Sequence, residues 1–370
     1  MNTDSTQIKS IHARIMYTGR SVLQDAYLVF DGKTIVGVFP EPQGVLAGDY
    51  PVITPAFVDA HSHIGMVRSG EPQDEAEAND HQDPVMALSD ALDSIQMDDT
   101  AFKDAVEMGV LYSCVMPGSG NIIGGNSAVI RNYASNSTDA LIGRAGLKAA
   151  FGYNPMSTTK WKGTRPTTRM GAFAILRKRM DEVLQKKEKY RKVNSEKKDE
   201  ITFSAEERVL LQVMDKKIPL RAHVHKIDDI AALLRLVDEY RMEITVEHAM
   251  DVHLPEIFTE LKRRNISVVY GPMDSFAYKV ELKHENWRNI QCLIDSGVRF
   301  GLMTDHPVTP CRQIFLTTRW FLRAGYSEQQ VVELISRKNA EILKIQNILG
   351  TLEQGKWASF TCWNGDPDRK

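Results

Sequence analysis

Cysteine is scarce in this sequence, and its four cysteines are widely spaced. Cys114, Cys292, Cys311 and Cys362 form no CxxC pair in the 370-residue chain. This spacing argues against a disulfide framework and favours a reducing compartment. The first ten residues, MNTDSTQIKS, also lack the apolar stretch of a signal peptide. We therefore expect a cytoplasmic protein.

Long apolar runs and an excess of positive charge are absent as well. No run approaches the roughly 18 apolar residues of a membrane-spanning helix, so we expect no association with a membrane. The 46 Lys and Arg residues are balanced by 48 Asp and Glu residues, which argues against a nucleic-acid partner. The composition, 42% apolar and 25% charged, excludes disordered, collagen-like and coiled-coil proteins.

Both ends of the chain have the character of β-strands. Residues 8–16, 26–30 and 34–39 are short and rich in β-branched residues, and Asp31-Gly32 predicts a hairpin between the last two. Residues 350–363 return to strand-like composition. We predict that residues 1–55 and 345–370 form one composite β-sandwich, because this arrangement pairs strand edges that would otherwise be exposed.

The central part of the chain, residues 56–344, alternates between strand-like and helix-like segments. Helical patterns occur at 228–240, 254–264, 284–295 and 327–343. The strand-like segments are residues 55–61, 110–116, 127–131, 146–151, 218–224, 243–248, 266–270 and 298–304. Eight strands alternating with helices predict an α/β fold, a closed parallel (β/α)8 barrel of the TIM type.

Two histidine pairs stand at the ends of these strands. The segment HSH at 61–63 ends the first strand, and HVH at 223–225 ends the fifth. Residues i and i+2 of a strand point to the same face, so each pair can chelate a metal ion. Taken alone, such a pair is more often an ordinary surface or core pair.

His248 and Asp305 strengthen the metal hypothesis, because they end the sixth and eighth strands. The carboxyl ends of barrel strands meet at one face, where barrel enzymes carry their active sites. Imidazole and carboxylate ligands without cysteine suit zinc, with manganese or iron as alternatives. Asp305 is the candidate that orients an attacking water and moves its proton.

The order of these residues resembles that of the amidohydrolase superfamily, and most closely its imidazolonepropionase-like and prolidase-like branch. The segments that carry the resemblance are ITPAFVDAHSHIG, VMPGSGNIIGGNSAVIR, GLKAAFGYNP, RPTTRMG, RAHVHKIDDI, VEHAMD, VVYGPM, MTDHPV and GTLEQGKWASFTCWNGDP. The resemblance implies a metal-bearing (β/α)8 barrel with a composite β-sandwich. It also implies hydrolysis, by metal-activated water, of the C–N bond of a small cyclic amide, an acyl amino acid or a dipeptide.

The resemblance also implies roles for single residues. The implied metal ligands are His61, His63, His223, His248 and Asp305, which would hold one or two zinc ions or another divalent metal. Asp305 would also shuttle the proton, and His248 would contact substrate if only one metal is bound. We assign catalytic roles to Asp305, His248 and His225. A structural role for His225 remains an alternative, as it does for His306.

The fourth strand departs from the family pattern. Dinuclear members bridge their two metals there with a carboxylated lysine or a glutamate. This chain has Tyr153 where related sequences have glutamate, and Lys148 is the other candidate bridge. The number of metal ions is therefore left open. Tyr153 is either a substrate contact or a packing residue.

The charge of the substrate is left open as well. Residues 69–102 contain ten acidic residues and no Lys or Arg, which favours a cationic substrate. Arg131 and Arg169 are candidate clamps for an acidic one. The alternative functions are a deaminase on the same scaffold and a catalytically silent binding or scaffold protein. We expect a small-molecule substrate and a homo-oligomer.

Overall fold

The amino-terminal strands and the last strand of the chain lie in one five-stranded sheet, in the order β13-β4-β1-β2-β3. These strands are β1 (Lys9–Tyr17), β2 (Val22–Phe30), β3 (Ile35–Phe39), β4 (Val45–Pro55) and β13 (Phe360–Trp363). Strand β13 pairs antiparallel with β4. The two ends of the chain therefore meet, although the second layer that a sandwich requires stays a prediction. The structure is a computed structural model that describes residues 7–156, 165–194, 198, 200–273 and 279–365.

The predicted hairpin lies between β2 and β3, which pair antiparallel. The Asp31 side chain accepts hydrogen bonds from the backbone nitrogens of Thr34 at 2.8 Å and Lys33 at 3.1 Å. Gly32 adopts φ +91°, a conformation that glycine tolerates without strain. The Asp-Gly prediction is thus confirmed. Strand β4 was not among the predicted segments, because Gly48 and Asp49 interrupt its apolar pattern.

Eight further strands form the barrel sheet, and each overlaps one of the eight predicted segments. They are β5 (Phe57–Ser62), β6 (Val110–Val115), β7 (Ile123–Arg131), β8 (Leu141–Ala150), β9 (Leu220–Val224), β10 (Ile244–His248), β11 (Ser267–Tyr270) and β12 (Phe300–Leu302). They neighbour one another in chain order. The fold is α/β, with a nearly closed eight-stranded barrel.

The prediction of an all-parallel barrel was wrong at β7. This strand runs antiparallel to both β6 and β8, whereas the other neighbouring pairs are parallel. The reason is the length of the connection. Only residues 116–122 lie between β6 and β7, and a parallel crossover needs about a dozen residues or more. A hairpin is the connection that so short a segment permits.

Backbone hydrogen bonds join the two ends of the barrel sheet, β5 and β12, just beyond the last residues of β12. The Asp305 nitrogen donates to the His61 carbonyl, and the His63 nitrogen donates to the His306 carbonyl, both at 3.0 Å. These bonds hold the first histidine pair beside Asp305. The closing seam of the barrel is therefore also the place where predicted site residues meet.

Asn339 reinforces this seam from the outside. Its side-chain nitrogen donates to the carbonyls of Val58 at 2.6 Å and Leu302 at 2.8 Å. Its oxygen accepts from the Leu302 nitrogen at 2.9 Å. The buried side-chain amide of Asn339 thus links the backbones of β5 and β12 by hydrogen bonds, in place of direct strand pairing.

Helices cover the outside of the barrel and fill the connections. The α-helices are α1 (Ala91–Ser94), α2 (Thr100–Glu107), α3 (Ser137–Ala140), α4 (Arg169–Lys192), α5 (Ala205–Met214), α6 (Ile227–Tyr240), α7 (Pro255–Arg263), α8 (Ile290–Ser296), α9 (Ile314–Thr317), α10 (Arg319–Arg323), α11 (Glu328–Glu333) and α12 (Asn339–Ile342). Short 3₁₀ turns lie at Gln73–Glu75, Val280–Leu282, Trp287–Asn289 and Cys311–Gln313. Among the described residues, no helix is long and apolar enough to cross a membrane.

The last predicted helix, 327–343, is present but is not regular. Ser327 caps α11 through a reciprocal capping box with Gln330. A π-helical turn, Leu334–Lys338, then separates α11 from α12. Such turns are frequent at functional positions. Here the turn directly precedes Asn339, the residue that bridges the seam.

Candidate functional site

The predicted ligands gather at the carboxyl ends of the barrel strands, in two groups that share His248. One ligand atom each of His61, His248 and Asp305 lies within 4.8 Å of the others, and the same holds for His223, His225 and His248. All of these residues are buried. The shared histidine makes the two groups neighbours within one site.

The acceptor atoms of His61, His63 and Asp305 face one another. His63 Nδ1 donates to the Met116 carbonyl at 2.7 Å, which leaves the lone pair of Nε2 pointing at Asp305 Oδ1 3.1 Å away. His61 Nε2 lies 3.4 Å from the same oxygen. Acceptors this close need a positive centre between them, either a proton or a cation. These nitrogen and oxygen atoms are therefore suitable ligands for a metal ion.

In the second group, ring nitrogens without hydrogen-bond partners also fit a metal ion. His248 Nδ1 donates to the Gly271 carbonyl at 2.9 Å, which turns Nε2 toward the site. Among the described residues, His248 Nε2 and both ring nitrogens of His225 are buried without a hydrogen-bond partner. Leaving a buried polar atom unsatisfied costs about 1–3 kcal/mol. These nitrogens are therefore available to a metal ion or to a substrate.

Burial sets the protonation states that metal binding requires. It lowers the pKa values of His61, His223 and His248 well below the ordinary histidine value, and that of His225 to about 3. Burial alone would raise the pKa of the Asp305 carboxyl, but nearby groups, His248 foremost, hold it below its ordinary value. Neutral imidazoles and an ionised carboxylate are the forms that ligate metals.

Lys148 of β8 lies inside the site. The side chain is fully buried, and its Nζ is 3.1 Å from His61 Nε2. Burial lowers the pKa of this lysine to about 8. Tyr153, by contrast, is 46% exposed, and its backbone nitrogen donates to Glu281 at 2.7 Å. Of the two candidate bridges on the fourth strand, the structure brings only Lys148 to the histidines.

An ion pair beneath the histidines was missed from the sequence. His61 Nδ1 lies 3.0 Å from Glu247 Oε2, and the other oxygen of Glu247 lies 3.0 Å from Arg221 and 2.6 Å from the Thr245 hydroxyl. A charged residue within each of the apolar strands β9 and β10 was the signal that could have revealed it. Charged residues are almost never fully buried unless they are paired.

Two further residues border the site. His306 Nδ1 accepts a hydrogen bond from the Cys311 nitrogen at 3.2 Å, and burial lowers the pKa of His306 to about 4. Asn154 was not predicted; its side-chain nitrogen lies 3.2 Å from His223 Nε2 and 2.6 Å from the Ser119 hydroxyl.

The two arginines considered as carboxylate clamps have other partners. Arg169 forms a bidentate ion pair with Asp229, at 2.6 and 3.1 Å. Arg131 ends the antiparallel strand β7, which places it opposite Tyr112 near the amino end of β6. There it lies over the Trp357 ring, 4.9 Å from the ring centre. Arg131 is thus at the far end of the barrel from the histidines.

An eight-stranded barrel that collects histidines and an aspartate at the carboxyl ends of its strands is the arrangement of the amidohydrolases, a class of hydrolases. This chain belongs to that family: the model of the amidohydrolase family matches residues 52–370. The family resemblance stated from the sequence is thereby confirmed.

Comparison with single proteins gives the same class. The chain is 23% identical over 359 residues to the amidohydrolase tasK of Hapsidospora irregularis; the match covers 91% of this chain and 37% of that protein. The chain thus spans little more than a third of that relative's length.

Solved structures resemble the whole chain. The crystal structure of an amidohydrolase from Thermotoga maritima MSB8 has a TM-score of 0.88 and 29% identity, covering 98% of this chain and 95% of that one. A prolidase complexed with N-methylphosphonate-L-proline has a TM-score of 0.59 and 15% identity, covering 97% and 93%. At that identity the second likeness shows the fold alone.

Proposed function

We propose that this amidohydrolase is a metal-dependent enzyme that cleaves the C–N bond of a small cyclic amide, an acyl amino acid or a dipeptide. The observation that carries the proposal is the pair of buried donor groups that share His248, with the Asp305 carboxylate beside them. Such a site has the ligands for a catalytic metal and a carboxylate in reach of the reacting atoms.

The proposed ligands divide into two neighbouring positions. His61, His63 and Asp305 form one, and His223 and His248 form the other. Zinc fits both positions, because the donors are nitrogen and oxygen atoms without sulfur. A divalent metal held there supplies water that is ionised near neutral pH.

Asp305 is the proposed proton carrier. Its depressed pKa keeps the carboxyl ionised, so it can accept a proton from the attacking water. It then returns this proton to the nitrogen that departs from the cleaved bond. His225, whose two ring nitrogens are buried without partners among the described residues, is proposed to contact the substrate beside His248.

Lys148 is proposed to bridge the two positions as a carbamate. Its neutral Nζ would bond to the carbon of carbon dioxide and release a proton to solvent, which gives a carbamate whose two oxygens resemble those of a carboxylate. The lowered pKa supports this reaction, because it leaves a substantial fraction of neutral amine near pH 8. A metal content of two ions per chain, reduced in Lys148→Met, would support the bridge. One ion per chain in both proteins would contradict it.

We also propose three features of the protein as a whole. We infer a small composite domain of residues 1–55 and 345–370 around a barrel of residues 56–344. The pairing of β13 with β4 supports this division. A cytoplasmic location and assembly into a homo-oligomer are inferred from the sequence alone.

The test measures metal content and turnover together. Protein purified without added metal is analysed for bound ions and then assayed on dipeptides, acyl amino acids and cyclic amides, with Asp305→Asn as the control. Turnover that produces a new carboxylate and disappears in the control supports the proposal. Ammonia released from a C=N carbon without a new carboxylate indicates a deaminase instead. Bound metal without turnover across the panel indicates a silent binding protein.

A further inference from the structure

A third group of histidine and carboxylate side chains lies outside the site described above. One ligand atom each of Asp251, His253 and His284 lies within 4.8 Å of the others. Asp251 and His253 lie in the turn between β10 and α7, and His284 lies in the connection between β11 and α8. The proposed hydrolysis uses none of these three residues.

The backbone holds the Asp251 carboxylate in a fixed position. Its Oδ1 accepts the His284 backbone N–H at 2.5 Å, and its Oδ2 lies 3.3 Å from His284 Nδ1. Ligands of a tetrahedral zinc ion, with bonds of about 2.0–2.1 Å, stand about 3.3 Å apart. The carboxylate and the imidazole are therefore already spaced as two ligands of one ion.

His253 is held in the tautomer that a metal requires. Its Nδ1 lies 2.9 Å from the Asp251 carbonyl oxygen. A carbonyl only accepts hydrogen bonds, so Nδ1 carries the proton and Nε2 keeps its lone pair. Histidines that bind metals typically donate their other ring N–H in this way.

The two imidazoles are neighbours, and one of them is open to solvent. The ring centres of His253 and His284 lie 4.2 Å apart. The Asp251 side chain is 2% exposed, whereas that of His284 is 42% exposed. An ion can thus enter from solvent. Solvent can supply the fourth ligand.

We propose that Asp251, His253 and His284 bind a divalent transition-metal ion, zinc in the first instance. Two imidazoles and one carboxylate suit zinc, whereas magnesium and calcium prefer oxygen ligands throughout. The ion would tie the β10–α7 turn to the β11–α8 connection. Because the turn begins directly after His248, this additional ion would brace the rim of the active site without taking part in the reaction.

Zinc binding to the folded protein tests the proposal directly. The enzyme is loaded with zinc, freed of loosely bound metal by gel filtration and then titrated with zinc alone against a chromophoric chelator. We expect one additional ion per chain beyond those that survive filtration. In His253→Ala and His284→Ala the affinity for this ion should fall at least about tenfold, the lower end of what loss of even an outer partner costs.

Matched variants separate this ion from the catalytic ones. His12→Ala is the control, since His12 pairs with Asp49 at 2.8 Å in the five-stranded sheet, without a second imidazole. It should retain the additional ion, as should His61→Ala combined with His63→Ala. Circular dichroism checks the fold, and His284→Gln preserves size and polarity if His284→Ala is unstable. The proposal would be overturned if the wild type bound no additional zinc, or if His253→Ala and His284→Ala both bound it with the wild-type affinity.

Discussion

His61 Nδ1 lies 3.0 Å from Glu247 Oε2, and neither side chain has any exposed surface. The contact fixes the histidine with its proton on Nδ1, so the lone pair of Nε2 faces Asp305 and Lys148. Arg221 neutralises the carboxylate from the opposite side, at 3.0 Å. A single buried ion pair thus sets both the orientation and the basicity of a proposed ligand.

Replacing Glu247 by glutamine should weaken metal binding and destabilise the fold. Loss of an outer-shell carboxylate costs about 10–100-fold in metal affinity. The buried Arg221 loses its charged partner, which costs about 3–5 kcal/mol in the free energy of unfolding. Equilibrium dialysis and urea denaturation measure the two effects. Glu239→Gln is the control, because the Arg177–Glu239 pair is exposed and worth at most about 1 kcal/mol. Equal stability of the two variants would contradict the prediction.

Replacing both His61 and His63 by alanine should abolish metal retention while the chain stays folded. The barrel core is built from apolar side chains on every strand and does not depend on the ion. Metal analysis after gel filtration measures the loss, and circular dichroism checks the fold. Full occupancy in the double variant would rule out these two residues as ligands.

Asp305→Asn should lower turnover by about 10²–10⁴-fold, the usual contribution of a general acid–base group. Asparagine keeps the size of the side chain and an oxygen that can contact metal, but it lacks the basic carboxylate. Most of the metal should therefore be retained. Turnover close to that of the wild type would assign proton transfer to another group, such as His225 or His306.

Asn339→Ala should destabilise the barrel by about 3 kcal/mol or more. The change removes three hydrogen bonds and leaves buried backbone groups of β5 and β12 without partners, each at a cost of about 1–3 kcal/mol. Urea denaturation measures the difference. Asn347→Ala is the control, since Asn347 is exposed and should change stability by at most about 0.5 kcal/mol. Similar effects in both variants would refute the bridging role.

Asp59 should make stability fall with rising pH. Burial raises the pKa of its carboxyl to about 7, against a usual value of 3.8. Between these two values the folded state keeps a proton that the unfolded chain has lost. The contribution of the protonated carboxyl to the free energy of unfolding is therefore full below about pH 4 and is lost as pH rises to about 7. Asp59→Asn removes the dependence. In urea denaturation of both metal-free proteins, the free energy of unfolding of the wild type should fall relative to that of Asp59→Asn as pH rises from about 4 to 7; a difference independent of pH would contradict the shift.

The positions of the strands could be predicted from the sequence, but the direction of one could not. Largely apolar segments mark the barrel strands, because most of their residues are buried. The same pattern fits a parallel and an antiparallel strand equally well. The short connection after Val115 decides the direction of β7, and the strand pattern contains no trace of it.

The gathering of the candidate ligands could be predicted from the sequence, but the side chains around them could not. His61, His223, His248 and Asp305 could be placed together because strand ends converge in a barrel. Side chains that precede the last residue of their strands, such as Lys148 and Glu247, reach the same region. Their approach depends on how far each strand is tilted and staggered, which local sequence does not specify.

The seam between β5 and β12 places a constraint on biosynthesis. Asp59 and Thr304, which meet across it, are 245 residues apart in the chain. At about 5–20 residues per second, the first strand leaves the ribosome on the order of ten to fifty seconds before its neighbour exists. Through that interval His61 and His63 belong to an open sheet edge. The proposed metal position can assemble only after Asp305 has left the ribosome, so acquisition of the ion cannot precede synthesis of the eighth barrel strand.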